Sequence, residues 1–165
     1  KTLVNGDRFT DSCLLHHEGK WYLFSTVWFG KKNGLRIFVS DTIDGNYIEH
    51  PKSPITDNIA LSRCGGSIFS YNGNLYRPAQ YCTNYYGEDI HLYKIIKLTP
   101  TEYQECLTKQ MVDKQQKWNC FGGHHINTTK FNGKQIVVMD GIVNDNWFNN
   151  HTRKIFNIVY HLTKK

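Results

Sequence analysis

The 165-residue sequence has no run of about 18 apolar residues, so no helix in it is expected to cross a membrane. No basic, apolar, small-residue leader opens it, so no signal peptide is expected. Its five cysteines, Cys13, Cys64, Cys82, Cys106 and Cys120, are an odd number without a C-x-x-C pair. That argues against a closed disulfide framework and against a zinc ribbon. Neither Gly65-Gly66 nor Gly122-Gly123 is followed by a helical pattern, which excludes a phosphate loop and a dinucleotide fingerprint. No Ser-His-Asp order appears. No H-x-H or H-x-x-x-H partner accompanies His124-His125, so no metal and no cofactor is expected. The net charge is +6, but the lysines are scattered. The densest stretch, Lys109 to Lys117, reads as a solvated linker rather than a nucleic-acid groove. Cysteine parity leans to a reducing compartment. The sequons Asn127-Thr128-Thr129 and Asn150-His151-Thr152 lean the other way.

What is present is a modest apolar share, 39%, with 14% aromatics, which suits a single β-rich domain. The chain also repeats. Residues 13–26, 65–80 and 124–140 share one design: a β-type run, a turn with glycine, and a second β-type run. The turns are EGK, NGN and NGK, centred on Gly19, Gly73 and Gly133. Glycine accepts the positive φ of a type I′ turn, so each pair predicts a hairpin. A third run follows each hairpin: LRIFVSD, DIHLYKIIKLT and KIFNIVYHLT. A fourth follows the first two, as NYIEHP and EYQECL, the latter open to reading as a short helix. The unit is a four-stranded meander used three times. It predicts an all-β chain of three propeller blades, about 3–60, 61–115 and 118–165, with a plain β-sandwich as the alternative.

Aligning the glycines places Asp11, Gly65 and His125 eight residues before the turn, where each first strand starts. Thr26, Gln80 and Asp140 fall seven residues after it, at the end of each second strand. In a propeller the innermost strands ring the central channel, so these polar ends would gather at one mouth. Arg63, Gly66, Arg77 and His124 flank them. Acceptors, fixed-fork donors and an imidazole together suit a sugar or sugar phosphate. Each residue also has a plainer reading. Asp11 could pair with Arg8, and Arg63 and Arg77 with acids across a blade. Gln80 could satisfy buried backbone, and Gly65-Gly66 could form a bulge. His124 and His125 are read as adjacent on a strand, so they are expected to face opposite sides.

The phrases DSCLLHHEGKWYLFST and LRIFVSDTIDGNYIEHP resemble the five-bladed propellers of glycoside hydrolase families 32, 43 and 68. A more specific likeness covers nearly the whole chain. SRCGGSIFSYNGNLYRPAQYC, YYGEDIHLYKIIKLTPTEYQE, GGHHIN and VVMDG resemble the propeller in the N-terminal part of plant glucosamine inositolphosphorylceramide transferases. That resemblance implies that the chain is the last three blades of such a domain. It also implies that the family signature gathers on Asp11, Arg63, Gly65, Gly66, Arg77, Gln80, Tyr86, His124 and His125. The hydrolases use a carboxylate on the inner strand of each of three blades, whereas here the counterparts of Asp11 are Gly65 and His125.

Two functions are therefore expected in order. The first is a carbohydrate-recognition propeller of a glycan-modifying enzyme, a sugar transferase or sugar formyltransferase-type protein. Its ligand would be a sugar, sugar nucleotide or glycan, held by Arg63, Gly65, Gly66, Arg77, Gln80, Tyr86, His124, His125 and Asp140. The second is an active glycoside hydrolase or glycan transferase with Asp11 as base or nucleophile. Three blades leave two faces open, with Trp21, Leu23 and Phe24 on one and Ile155, Phe156, Ile158 and Val159 on the other. The remaining blades, a second domain or a second chain are expected to cover them. The start KTLVNGDRFT looks too short and polar to do so.

Overall fold

In the computed structural model, residues 1–6, 8–27, 34–113, 115–143 and 154–162 are described, with the side chains of 59 and 154–162 left aside. The chain forms three antiparallel sheets in succession. The first holds β1 (Phe9–His17), β2 (Lys20–Val27), β3 (Gly34–Ser40) and β4 (Ile48–Glu49). A four-residue helix, α1 (Ile59–Ser62), leads to the second. That sheet holds β5 (Phe69–Tyr71), β6 (Asn74–Tyr81), β7 (Asp89–Leu98) and β8 (Tyr103–Gln110). The third holds β9 (Ile126–Phe131), β10 (Lys134–Val143) and β11 (Lys154–Leu162). Strands neighbouring in sequence are neighbours in space in all three.

The turns have the expected chemistry. Glu18-Gly19, Asn72-Gly73 and Asn132-Gly133 carry positive φ at both residues, between 47° and 75°. That is the type I′ pattern, whose twist matches the strands it joins. EYQECL is strand, within β8. The third sheet shows three strands among the described residues, one fewer than the repeat predicts.

The sheets pack face to face. Tyr22, Phe24, Leu35 and Ile37 of the first meet Ile68, Ile95 and Leu98 of the second. Ile90 of the second meets Ile126, Val137 and Met139 of the third. β2 and β3, in the middle of their sheet, are buried on both faces, which is why YLF and IFV read as continuous apolar runs. The far side of the first sheet is partly covered from within. Leu3 and Val4 pack with Phe9 and Trp21 over Leu23, Phe38 and Tyr47. The N-terminal segment thus does part of the covering that its short, polar sequence argued against. The expected second face, Ile155, Phe156, Ile158 and Val159, lies outside the described side chains, and Asn150-His151-Thr152 outside the described residues.

Counting from the hairpin glycines misplaces two strand starts: in the first blade Thr10, not Asp11, pairs with Thr26, and the second blade is off by two. The count opposes Gln80 to Gly65, but the Gln80 amide donates to the Arg63 carbonyl at 2.9 Å. The chain between Cys64 and Phe69 takes up two extra residues because Gly65-Gly66 leaves the strand to meet the third sheet. The Ile126 amide donates to the Gly65 carbonyl at 2.7 Å. A Cβ on Gly66, at φ +138°, would stand 1.9 Å from the Ile126 carbonyl oxygen. The two glycines are therefore an inter-sheet contact built of backbone, and no side chain could enter it at Gly66.

Candidate functional site

Five of the sequence-predicted residues come together at one end of the strands. β1 breaks register between Thr10 and Cys13, and Asp11 sits in that bulge at φ 51°. A bulge re-aims a side chain, and a short acid tolerates the left-handed region better than most residues. The Asp11 carboxylate thereby reaches Arg63, 52 residues on. Nε donates to Oδ2 at 2.5 Å and Nη2 to Oδ1 at 3.3 Å. Arg63 is presented by α1, whose C-cap it is. The helix starts where the Asn58 side chain accepts from the Ala60 amide, and its Ser62 carbonyl accepts from the buried Thr26 hydroxyl at 2.7 Å. Asp11 pairs with Arg63 rather than Arg8.

The Arg63 guanidinium lies over the ring of Tyr86, 5.2 Å from its centre. Tyr86 is 48% exposed, in the loop between β6 and β7. Its neighbours pin that loop. Glu88 accepts from the Asn84 amide and side chain, and Cys82 sulfur accepts from the Gly87 amide. The Tyr85 hydroxyl donates to the Phe121 carbonyl at 2.7 Å while the two rings stack. The ring of His124 stands 5.3 Å from that of Tyr86. Its Nδ1 is 2.5 Å from Asp140 Oδ2.

Asp140 is a positioning group. It reaches back from β10 to accept the amides of His124 and His125, at 3.0 and 2.6 Å from Oδ1. Burial pushes its carboxyl up, but the His124 ring and the two amides outweigh that and hold it below the ordinary value. Both histidines therefore precede β9 instead of lying on a strand, and the alternation expected of them does not apply. Two successive amides aimed at one carboxylate are incompatible with a regular ladder. His125 is exposed, with Nε2 2.9 Å from the Asn127 side-chain nitrogen.

Arg77 stands apart from this cluster. It is fully buried between the first and second sheets. Nε and Nη2 donate to the two Glu105 oxygens at 2.8 and 2.7 Å, and the guanidinium lies over Tyr93. Burial lowers its pKa, but the Glu105 charge more than reverses that and keeps it charged. This corrects its expected place at the channel mouth. β6 turns Arg77 to the face shared with Leu75, toward the apolar contact, and Glu105 compensates the charge there. Gln80 is also buried. Its Nε2 donates to the Cys64 carbonyl at 3.1 Å, and its Oε1 has no partner among the described residues. Gly65 and Gly66 belong to the inter-sheet contact described above. Sequence reading missed α1, whose signal was Asn58 two residues before Ala60, and it missed Glu105, whose role depends on a fold-level neighbour.

The cluster thus runs Asp11, Arg63, Tyr86, His124, Asp140, drawn from all three sheets and the segments between them. It offers a cationic fork, an exposed aromatic face and an oriented imidazole.

Solved structures share this architecture at low identity. The Bombyx mori family-32 β-fructofuranosidase superposes with a TM-score of 0.60 at 9% identity, over 94% of this chain and 34% of that one. A thermostable family-43 glycoside hydrolase gives 0.57 at 13%, over 94% and 48%. The endo-arabinase from Bacteroides thetaiotaomicron gives 0.56 at 19%, over 90% and 55%. The three sheets are blades of a β-propeller. Closer relatives in sequence are the glucosamine inositolphosphorylceramide transferases 1 of Oryza sativa subsp. japonica, 36% identical over 142 residues, and of Arabidopsis thaliana, 35% over 142. Each match covers 79% of this chain and 19% of the relative, so the chain spans about a fifth of their length. The profile of the family described as glucosamine inositolphosphorylceramide transferase 1, N-terminal, matches residues 1–142. On these matches, the chain belongs to the family of glucosamine inositolphosphorylceramide transferase N-terminal domains.

Proposed function

We propose that this chain is the carbohydrate-recognition part of a glycan-modifying enzyme of the sugar-transferase kind, and that its ligand is a sugar, sugar nucleotide or glycan. The observation that carries the reading is the exposed Tyr86 ring flanked by the Arg63 guanidinium and the His124 imidazole. A sugar ring can lie on an aromatic face while a fork and an imidazole bond its hydroxyls or a phosphate. The family supports the same reading, because its named relatives are transferases of a sugar-bearing lipid class. The blades, about 3–60, 61–115 and 118–165, would be completed by further blades or by a second domain or chain. Titration of the full-length protein with sugar nucleotides and oligosaccharides, followed by tryptophan fluorescence, tests this. A saturable change lost in Tyr86→Ala is expected, and no response to any glycan overturns it.

A second reading is an active glycoside hydrolase or glycan transferase. The Asp140–His124 pair favours it, since a carboxylate on Nδ1 orients an imidazole to take a proton at Nε2. Asp11 has both oxygens engaged by Arg63. If Asp11 is nonetheless the base or nucleophile, Asp11→Asn costs several kcal/mol in the transition state, about 10³-fold in rate. Turnover that survives Asp11→Asn removes it from catalysis.

A further inference from the structure

Cys13 and Cys64 lie 51 residues apart in sequence, yet their sulfurs are 3.7 Å apart. Cys13 is on β1 of the first sheet. Cys64 bridges to Ala79 of β6 and so belongs to the second. Cys64 is buried and Cys13 partly exposed. Cys13 follows Asp11 by two residues, and Cys64 follows Arg63 by one. The thiol contact therefore lies directly behind the Asp11–Arg63 ion pair, across the same junction.

We propose that Cys13 and Cys64 form a reversible disulfide that staples the first blade to the second behind the Asp11–Arg63 pair. The sulfurs are in contact at 3.7 Å, and the bond would draw them to about 2.05 Å. The two thiols are also unequal. The contact with Cys64, against burial, holds the Cys13 thiol below its ordinary value, while the same contact and burial push Cys64 well up. The less buried partner, Cys13, is thus the better nucleophile.

The oxidant is a small-molecule disulfide of the glutathione class. The Cys13 thiolate attacks one sulfur of that disulfide, and the S–S bond breaks to release one small thiolate. This takes up the proton that Cys64 gives up, and the Cys64 sulfur attacks Cys13 and expels the second small thiolate, which takes up the proton that Cys13 lost on ionising. One small disulfide and two protein thiols become two small thiols and one protein disulfide, so atoms and electrons balance. Oxidation fixes the junction that brings Asp11 to Arg63, and reduction leaves that ion pair and the apolar contact to hold it. An odd cysteine count is no obstacle, because one pair of five leaves three thiols.

The test equilibrates the full-length protein in glutathione buffers of graded oxidation, traps thiols with an alkylating agent, and digests without reduction. Mass spectrometry is expected to show a peptide containing Cys13 linked to one containing Cys64, absent from Cys13→Ser and from Cys64→Ser. It should appear in buffers where the exposed Cys106 is still alkylated. The oxidised wild type should melt higher than the reduced form, on the order of 10 °C, with no such difference in either variant. The proposal is overturned if both thiols remain alkylatable in buffers that glutathionylate Cys106, or if the linked protein melts no higher. The readout needs no glycan, so its failure leaves the binding reading intact, and a failed glycan titration leaves the staple intact.

Discussion

Arg77 and Glu105 meet through two parallel hydrogen bonds inside the contact between the first two blades, and the Tyr103 hydroxyl donates to the same carboxylate at 2.6 Å. Removing one member of such a pair strands the other in an apolar surround. Glu105→Gln is expected to destabilise the fold by about 3–5 kcal/mol. Asp41→Asn, which breaks the exposed Lys20–Asp41 pair, is expected to cost about 1 kcal/mol or less. Urea unfolding of the two variants, read by the loss of tyrosine and tryptophan burial, checks the contrast. Equal costs would show that the buried pair is not what joins these blades.

Acid should weaken the domain in two stages. His91 is lowered, chiefly by burial and against the pull of Asp89, so the unfolded chain takes its proton first. Stability is full above the ordinary histidine value of about 6.5 and falls as pH drops below it toward the lowered folded value. Asp140 is also lowered, so its contribution holds above the ordinary carboxylate value of about 3.9 and is lost as pH falls through its folded value. Melting temperature against pH, compared with Asp140→Asn and His91→Gln, should lose the lower stage in the first variant and the upper in the second.

Two glycines of similar φ sign should respond differently. Gly66→Ala puts a methyl 1.9 Å from the Ile126 carbonyl, in backbone that cannot yield without parting the second and third blades. A loss of about 3 kcal/mol or more is expected, as for other strained, overpacked sites. Gly73→Ala, at φ +75° with nothing within 4 Å, meets only the left-handed penalty of about 1 kcal/mol. Thermal melts of the two variants separate the contributions.

The hairpins were legible because turn chemistry is local: EGK, NGN and NGK announce the positive φ that their first two residues adopt. The strand faces were less so: Trp21, Leu23 and Phe24 were expected on one open face, but Phe24 packs toward the second blade while Trp21 and Leu23 lie on the other side. The strand starts were not legible. A count from the turn assumes an unbroken ladder, and the Asp11 bulge and the Gly65-Gly66 excursion each break it. Asp140 and His125 do lie opposite each other as counted, since β9 and β10 keep register. Arg77 could not be told from Arg63 by sequence. Both are basic residues near strand ends, and only the packing of one sheet on another decides which is buried.

Association is the fourth expectation. Phe131 and Val138 of the third blade are exposed, 63% and 36%, whereas Leu3 and Val4 lie over the first. The isolated 165-residue segment is expected to associate through the third blade. Light scattering checks it: a monodisperse monomer of about 19 kDa that unfolds cooperatively would refute the expectation. Phe131→Lys should reduce the association, and Leu3→Lys should increase it by uncovering the first blade.

The three hairpin glycines, Gly19, Gly73 and Gly133, have no atom within 4 Å of where a side chain would begin. They sit at the far ends of the strands from Asp11, Arg63 and His124, with solvent beyond. Sequence can therefore be lengthened there without disturbing either the ladders or the polar cluster. A fluorophore, an epitope or a whole guest domain threaded between Asn72 and Asn74 would report from the quiet rim of the propeller while the opposite mouth keeps its chemistry.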